Sequence, residues 1–232
     1  MIGRVTVVVP AFNEEKTIGQ VLMDVSRIPF VSKIIVVDDG SRDKTLTVAR
    51  KALRAASKHG KAFELIHYEK NRGKGYALRK AFKFIKNGLV IIQDADLEYS
   101  PEDYPKLIAA LDKSSVVFGN RFVLKNEGHE YFLAKLGNRF ASFIFSLLYG
   151  QKIHDLNVGY KAFRVSALKG IVLKEDGFLI EEELAVGFAK KGIKIQEVPI
   201  HYRGRTFEEG KKIRAKDGIM GVIFLLKKRF LE

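Results

Sequence analysis

Short apolar, β-branched runs alternate along the chain with stretches of helical periodicity. Residues 4–9 form the first run, the PAFNEE segment breaks it, and 17–28 carries apolar positions at helical spacing. Residues 33–37 predict a second strand ending in Asp38-Asp39-Gly40-Ser41, followed by a helical pattern over 45–59. A third strand over 63–68, a loop at 71–75, a helix over 76–86 and a fourth strand over 89–93 repeat the grammar. Further strands are predicted at 116–118 and 195–200. Strands alternating with helices predict an α/β fold: a Rossmann-like, mostly parallel sheet with helices on both faces, in a single compact domain. In such open sheets ligands bind beyond the carboxyl ends of the strands. The acidic or glycine-rich punctuation after each of the first four strands is therefore expected along one edge.

The sharpest candidate chemistry is Asp94-Ala95-Asp96, directly after the apolar run 89–92. Residues two apart on an extended segment point to the same side. Two hard oxygen donors there would hold Mg2+ or Mn2+ and leave coordination positions for a diphosphate. The plain alternative is a solvated turn, since Asp, Ser and Pro are ordinary turn residues.

Other segments stand in a fixed order around this pair: PAFNEE (10–15), VVDDGS (36–41), NRGKGYAL (71–78), DADLEYSP (94–101), GNR (119–121), HDLNVGYKAFR (154–164), EVPIHYRGR (197–205) and EEGKKI (208–213). In that order the chain resembles the family-2 glycosyltransferases of the GT-A fold, above all those like dolichol-phosphate mannose and glucose synthases. The resemblance implies a nucleotide-sugar-binding half over about 1–98 and an acceptor half over about 99–232. It implies that Pro10, Phe12 and Glu14 hold the nucleotide, with Phe12 where the family usually has Tyr, and that Asp39 contacts the base or ribose. Asp94 and Asp96 match the metal-diphosphate pair, and Glu98 stands where mannose synthases often have a metal-binding Gln. Arg121, Arg205 and Lys211 match basic positions associated with phosphates; Arg139 is the favoured second basic residue for an acceptor phosphate, ahead of Lys135. Asp155 matches an acidic residue of the acceptor half, counted with Asp96 and Arg121 as catalytic; a loop-capping role is its alternative.

The implied reaction moves a hexose, with inversion, from a nucleotide diphosphate sugar of the GDP-mannose or UDP-glucose type to a polyprenyl or dolichyl phosphate. A divalent cation suits the charge building on the departing diphosphate. A phosphate acceptor is already largely ionised at neutral pH, as a phosphorylated side chain is, and needs Arg forks for positioning rather than a base. A sugar-hydroxyl acceptor would need a general base, for which Asp155, Glu181 or Glu183 are the candidates. The Glu181-Glu182-Glu183 run otherwise reads as a solvated helix N-terminus favoured by the helix dipole.

Composition narrows the partners. The 232 residues carry 41 Lys+Arg against 27 Asp+Glu, a formal net charge of +14, so an anionic partner is expected. The absence of cysteine excludes disulfides and cysteine-ligated zinc. No segment approaches the roughly 20 apolar residues needed to span a bilayer. The apolar-basic stretches at 132–149 and 219–230, the latter with Lys227, Lys228 and Arg229, read as interfacial helices or as helices packed on the core. A cytoplasmic protein, peripheral on the inner face of the cell membrane and with room for a separate membrane-anchoring partner, is the expectation. A soluble transferase acting on a hydroxyl, or a basic lipid- or RNA-binding module without turnover, are the alternatives; nucleic acid is not the expected partner. A nucleotidyltransferase is disfavoured because its glycine-rich signature is missing after the first strand. The charged segment 206–216, punctuated by Gly210, reads as a lid over the diphosphate or as a surface loop.

Overall fold

The structure is a computed structural model that describes residues 4–125, 127–128, 132–206, 208–210 and 215–231. Its first half alternates β1 (Val5–Ala11), α1 (Ile18–Arg27), β2 (Val31–Asp39), α2 (Thr45–Ser57), β3 (Ala62–Tyr68), α3 (Lys74–Phe82) and β4 (Leu89–Ile92). A 3-10 turn at Pro101–Asp103 then leads through α4 (Tyr104–Ala110), β5 (Val116–Asn120), β6 (Glu127–Gly128), α5 (Phe132–Tyr149), β7 (Lys161–Arg164) and α6 (Val165–Leu168). The chain closes with α7 (Ile180–Lys190), β8 (Ile195–Pro199), β9 (Arg203–Gly204) and α8 (Ala215–Phe230).

One seven-stranded sheet runs in the order β3-β2-β1-β4-β7-β5-β8, with β6 and β9 as a separate parallel pair. In the large sheet all neighbours are parallel except β7, which runs antiparallel to both β4 and β5. From β1 the chain first steps outward through β2 to β3, then returns to place β4 on the other side of β1. Because parallel crossovers are right-handed, α1 and α2 lie on one face and α3 on the other. The reversal between β1 and β4 is the position where open α/β sheets bind ligands. The apolar residues of β1 and β4 are buried on both faces, which explains why these strands read as continuous apolar runs rather than as alternation.

Two details depart from the expected elements. Four-residue β7 was hidden inside the YKAFR segment, too short to show a period. Helix α3 begins at Lys74, two residues before the expected 76, because Gly73 turns the chain at φ 104°. A Cβ on Gly73 would meet the Asp176 carbonyl oxygen at 2.4 Å, so this turn fits only glycine.

Candidate active site

The Asp94–Asp96 turn is held from beneath by residues distant in sequence. Gln93, fully buried at the end of β4, accepts hydrogen bonds from the hydroxyls of Tyr104 (2.8 Å) and Tyr160 (2.6 Å). Its amide nitrogen donates to the carbonyl of Asp94 at 3.0 Å. Tyr99 stacks on Tyr160 at 4.8 Å between ring centroids, and its hydroxyl accepts from the Gly159 N–H. Leu97 sits at φ 60°, a left-handed conformation uncommon for such a side chain, while the Glu98 N–H donates to Asp96 at 3.1 Å. The turn thus bends Asp94, Asp96 and Glu98 into one neighbourhood instead of letting the chain run on.

Each of these carboxylates faces a cation of the chain itself. Lys74 reaches Asp94 at 2.6 Å and Glu181 at 2.8 Å. Arg205 donates to Asp96 at 2.8 Å and to Glu14 at 3.0 Å, and its Nε lies 3.8 Å from Glu98. The Arg205 backbone N–H and the Tyr202 hydroxyl also donate to Glu98, each at 3.0 Å. Burial, reinforced by the charges of Asp94 and Glu98, pushes the Asp96 carboxyl up to about 7 against the pull of Arg205. Among the described residues no group of three or more His, Cys, Asp or Glu converges on a single point as a formed metal cage. The donor set of Asp94, Asp96 and Glu98 is nevertheless all hard oxygen, the class that suits Mg2+ or Mn2+.

At the end of β1, Pro10 is half-buried and Ala11 buried, and Phe12 and Asn13 open the loop that follows, with Asn13 at φ 53°. Asn13 and Glu14 are tied to the end of β2 and the start of α2: the Asn13 N–H donates to Ser41, and the Glu14 N–H to Thr45 at 2.7 Å. Asp39, buried, accepts from the N–H groups of Arg72 and Gly73 and so fixes the loop leading to Lys74. Burial raises its carboxyl above the ordinary value, and those two amides oppose the shift. Glu14 and Asp39 therefore border the same sheet edge as the Asp94–Asp96 turn, though Glu14 is directed at Arg205.

Across the sheet, Arg121 follows β5 and clasps Asp155 through Nε (2.8 Å) and Nη2 (2.7 Å). Asn138 of α5 adds a bond to Asp155 at 2.6 Å. Burial alone would raise Asp155, but Arg121 overrides it and holds the carboxyl below its usual range. The Arg121 guanidinium stands over the Tyr202 ring at 5.1 Å, which links it to Glu98. Arg139 is exposed on α5; the residue before it, Asn138, makes the contact with Asp155. Lys211 lies outside the described residues.

The Glu181–Glu183 run does open α7, but it is not solvated: all three are buried. Glu181 is pinned between Lys74 and Lys161, which drive its carboxyl down to about 2 in spite of burial. Glu182 accepts from Asn157 at 2.9 Å, and Glu183 accepts from the N–H groups of Lys174 and Glu175. Helix periodicity alone gives a solvated N-terminus; the loops at 154–158 and 171–177 fold over this one and bury it. Neither Lys74 nor Gln93 is marked as a site residue by the periodicity of the chain. The glycines flanking Lys74 were the available signal, because they mark a backbone that must approach another closely.

Helices α5 and α8 pack together and split each apolar stretch between core and surface. Ala141 and Phe145 of α5 and Phe224 and Leu225 of α8 are buried. Phe132 (74% exposed), Phe143 and Leu147 (70%) of α5 and Ile219, Ile223 and Phe230 of α8 are open, and Lys227, Lys228 and Arg229 follow on the same helix. These exposed apolar side chains lie on two helices that pack against each other. Among the described residues no helix is long and apolar enough to cross a membrane.

Comparison with known proteins bears on the family and the fold. The profile of glycosyl transferase family 2 matches residues 6–172. Glycosyltransferase AglJ of Haloferax volcanii is 33% identical over 224 residues, covering 95% of this chain and 70% of that protein. The dolichyl-phosphate hexose transferase of the same organism is 34% identical over 203 residues, covering 87% of this chain and 84% of that protein. Glucosyl-3-phosphoglycerate synthase of Mycobacterium tuberculosis, solved with Mn2+, UDP and glucosyl-3-phosphoglycerate, aligns with a TM-score of 0.72 at 22% identity, over 98% of this chain and 80% of that one. At that identity the likeness speaks for the fold.

Proposed function

The chain belongs to glycosyl transferase family 2, and from that premise we propose that this glycosyltransferase moves a hexose from a nucleotide diphosphate sugar to a polyprenyl phosphate at a membrane surface, with inversion. The observation that carries the choice of acceptor is the occupation of every carboxylate considered as a base. Asp155 is clasped by Arg121, Glu181 is pinned by two lysines, and Glu183 is bound to two backbone amides. A hydroxyl acceptor needs a basic group free to take its proton; a phosphate monoester arrives ionised and needs only to be held. Arg121 is suited to hold it, since Asp155 fixes one edge of the guanidinium and leaves Nη1 for a phosphate oxygen. Arg139 is the second candidate cation for the same phosphate.

On the donor side, Pro10, Phe12, Glu14 and Asp39 would line the nucleotide, and Arg205 with Lys211 would meet the diphosphate. Asp94, Asp96 and Glu98 fit Mg2+ or Mn2+, which would supply Lewis-acid stabilisation of the leaving diphosphate when bound. The relatives' names support a lipid phosphate acceptor, and the open apolar face of α5 and α8 gives a surface protein a way to reach one. Residues 1–98 and 99–232 would then divide the work between donor and acceptor within one sheet, on the cytoplasmic side of the membrane. A screen of GDP-mannose, UDP-glucose and related donors, with Mg2+ or Mn2+ and a short polyprenyl phosphate, tests the reading. Transfer is expected to the phosphate and not to the matching polyprenol; equal rates with both would overturn it.

A further inference from the structure

A second concave site lies at the opposite end of β4 from Asp94. It is a cavity of about 920 Å³ between the end of α3, the start of β4 and the segment through α6. That volume falls within the usual range for small-molecule sites, about 300–1,000 Å³. Five cationic residues line it, Arg79, Lys83, Lys86, Arg164 and Lys169, and no carboxylate does. Arg79 pairs with Asp176 outside the lining, and Arg164 donates to the Leu111 carbonyl at 2.7 Å. Among the described residues no carboxylate lies within ion-pair distance of Lys83, Lys86 or Lys169. Arg79 and Lys83 stand four apart, where like charges repel. The floor is apolar, with Phe82, Leu89, Val165, Leu168 and Ile171 among its residues, and only Asn87 and Ser166 bring neutral polar side chains.

We propose that this cavity binds a phosphate-headed amphiphile, its single apolar chain on the floor and its phosphate among the rim cations. The scarcity of neutral donors and acceptors argues against a nucleobase, which has to be recognised through its polar edge. The density of Lys and Arg argues for a dianionic phosphate over an uncharged lipid. The five steps along the strand from Leu89 to Asp94 span roughly 16 Å, so a short-chain ligand here would not reach the transfer site.

The chain contains no tryptophan, so Ser166→Trp places one fluorophore at the mouth of the cavity. Titration with decyl phosphate below its micelle concentration is expected to give a saturable change in emission, with decanol and inorganic phosphate each binding at least about tenfold more weakly. Adding Lys83→Gln, Lys86→Gln and Lys169→Gln is expected to weaken decyl phosphate by about tenfold or more while leaving decanol unchanged. Should the tryptophan disturb the fold, methyl NMR shifts of Leu89, Val165 and Leu173 in the unsubstituted chain give the same reading. No saturable response, equal affinity for decanol, or equal affinity in the triple lysine variant would overturn the proposal.

Discussion

Glu182 offers a measurable consequence of how tightly α7 is enclosed. Its side chain is 1% exposed, accepts one hydrogen bond from Asn157 and presses against the backbone of Gly221 in α8. Burial, with the adjacent charge of Glu181, lifts its carboxyl from an ordinary 4.5 to about 7, against Lys161 and Asn157. A group whose folded pKa lies above its unfolded value binds its proton more tightly when folded. The fold is therefore favoured while Glu182 is protonated, and that advantage fades as pH rises from about 4.5 to about 7. At 1.36 kcal/mol per unit, the gap corresponds to roughly 3 kcal/mol, as an order of magnitude. Glu182→Gln mimics the protonated form and removes the dependence. In denaturant melts from pH 4.5 to 8.5, the variant is expected to match the parent at the acid end and exceed it by roughly 2–3 kcal/mol above pH 7. Parallel curves for the two proteins over that range would refute the reasoning, because they would mean that Glu182 ionises alike in folded and unfolded chains.

Further outcomes can be checked on the proposed transfer reaction and on membranes. Asp94→Asn combined with Asp96→Asn is expected to abolish metal-dependent transfer, by a radiolabelled-donor assay; unchanged turnover would sink the assignment of this pair. Gly159→Ala would bring a Cβ within 2.1 Å of Asp94 Oδ2 and 3.1 Å of its Cγ, so transfer should fall at least tenfold, with a loss in stability of about 1–3 kcal/mol read by thermal melts. Replacing Lys227, Lys228 and Arg229 with Gln should weaken flotation with anionic liposomes, each cation contributing about 1 kcal/mol near such a surface, and raised salt should do the same to the parent. Equal flotation with neutral and anionic vesicles would count against a membrane role for α8.

Much of the fold could be read from the sequence because its central strands are buried on both faces and so appear as unbroken apolar runs. The carboxyl ends of β1, β2 and β4 follow directly from that pattern, and with them the place of Asp94 and Asp96, whereas Glu14 and Asp39 stand out through the family resemblance. What escaped were features set by contacts between distant segments. The antiparallel β7 is fixed by pairing on both sides with β4 and β5 rather than by any period of its own. The Glu181–Glu183 run has the composition of a solvated helix start, yet Lys74, from 107 positions earlier, and Lys161 bury it in ion pairs. Arg121 and Asp155 were each legible as charged residues of the second half of the chain, but their pairing, with Asn138 closing it, depends on how α5 lies across the loop at 154–158. The same folding separates Arg139 from its neighbour Asn138: one faces solvent and the other the buried acid.

The pairing of carboxylates with the chain's own cations bears on how the site would accept its donor. Asp96, Glu98 and Glu14 surround Arg205, and Asp94 and Glu181 surround Lys74. Buried carboxylates without such partners would repel one another, and removing one member of a buried pair costs about 3–5 kcal/mol. Arg205 and Lys74 thus let these five acidic side chains lie close together in a folded protein. In the proposed reaction both cations would stand near the diphosphate. A divalent ion entering at Asp94 and Asp96 would compete for the oxygens that Arg205 and Lys74 now hold, and a diphosphate arriving with it would give the released cations a new anion. The net charge of the site would then change little, although every partner in it had changed. The Arg205 N–H donates to the Glu98 carboxylate at 3.0 Å and the Arg203 N–H to the Glu98 carbonyl at 2.9 Å, so the backbone of this segment is tied to the turn that carries the carboxylates. These backbone bonds would keep Arg205 beside the Asp94–Asp96 turn whichever anion its guanidinium meets.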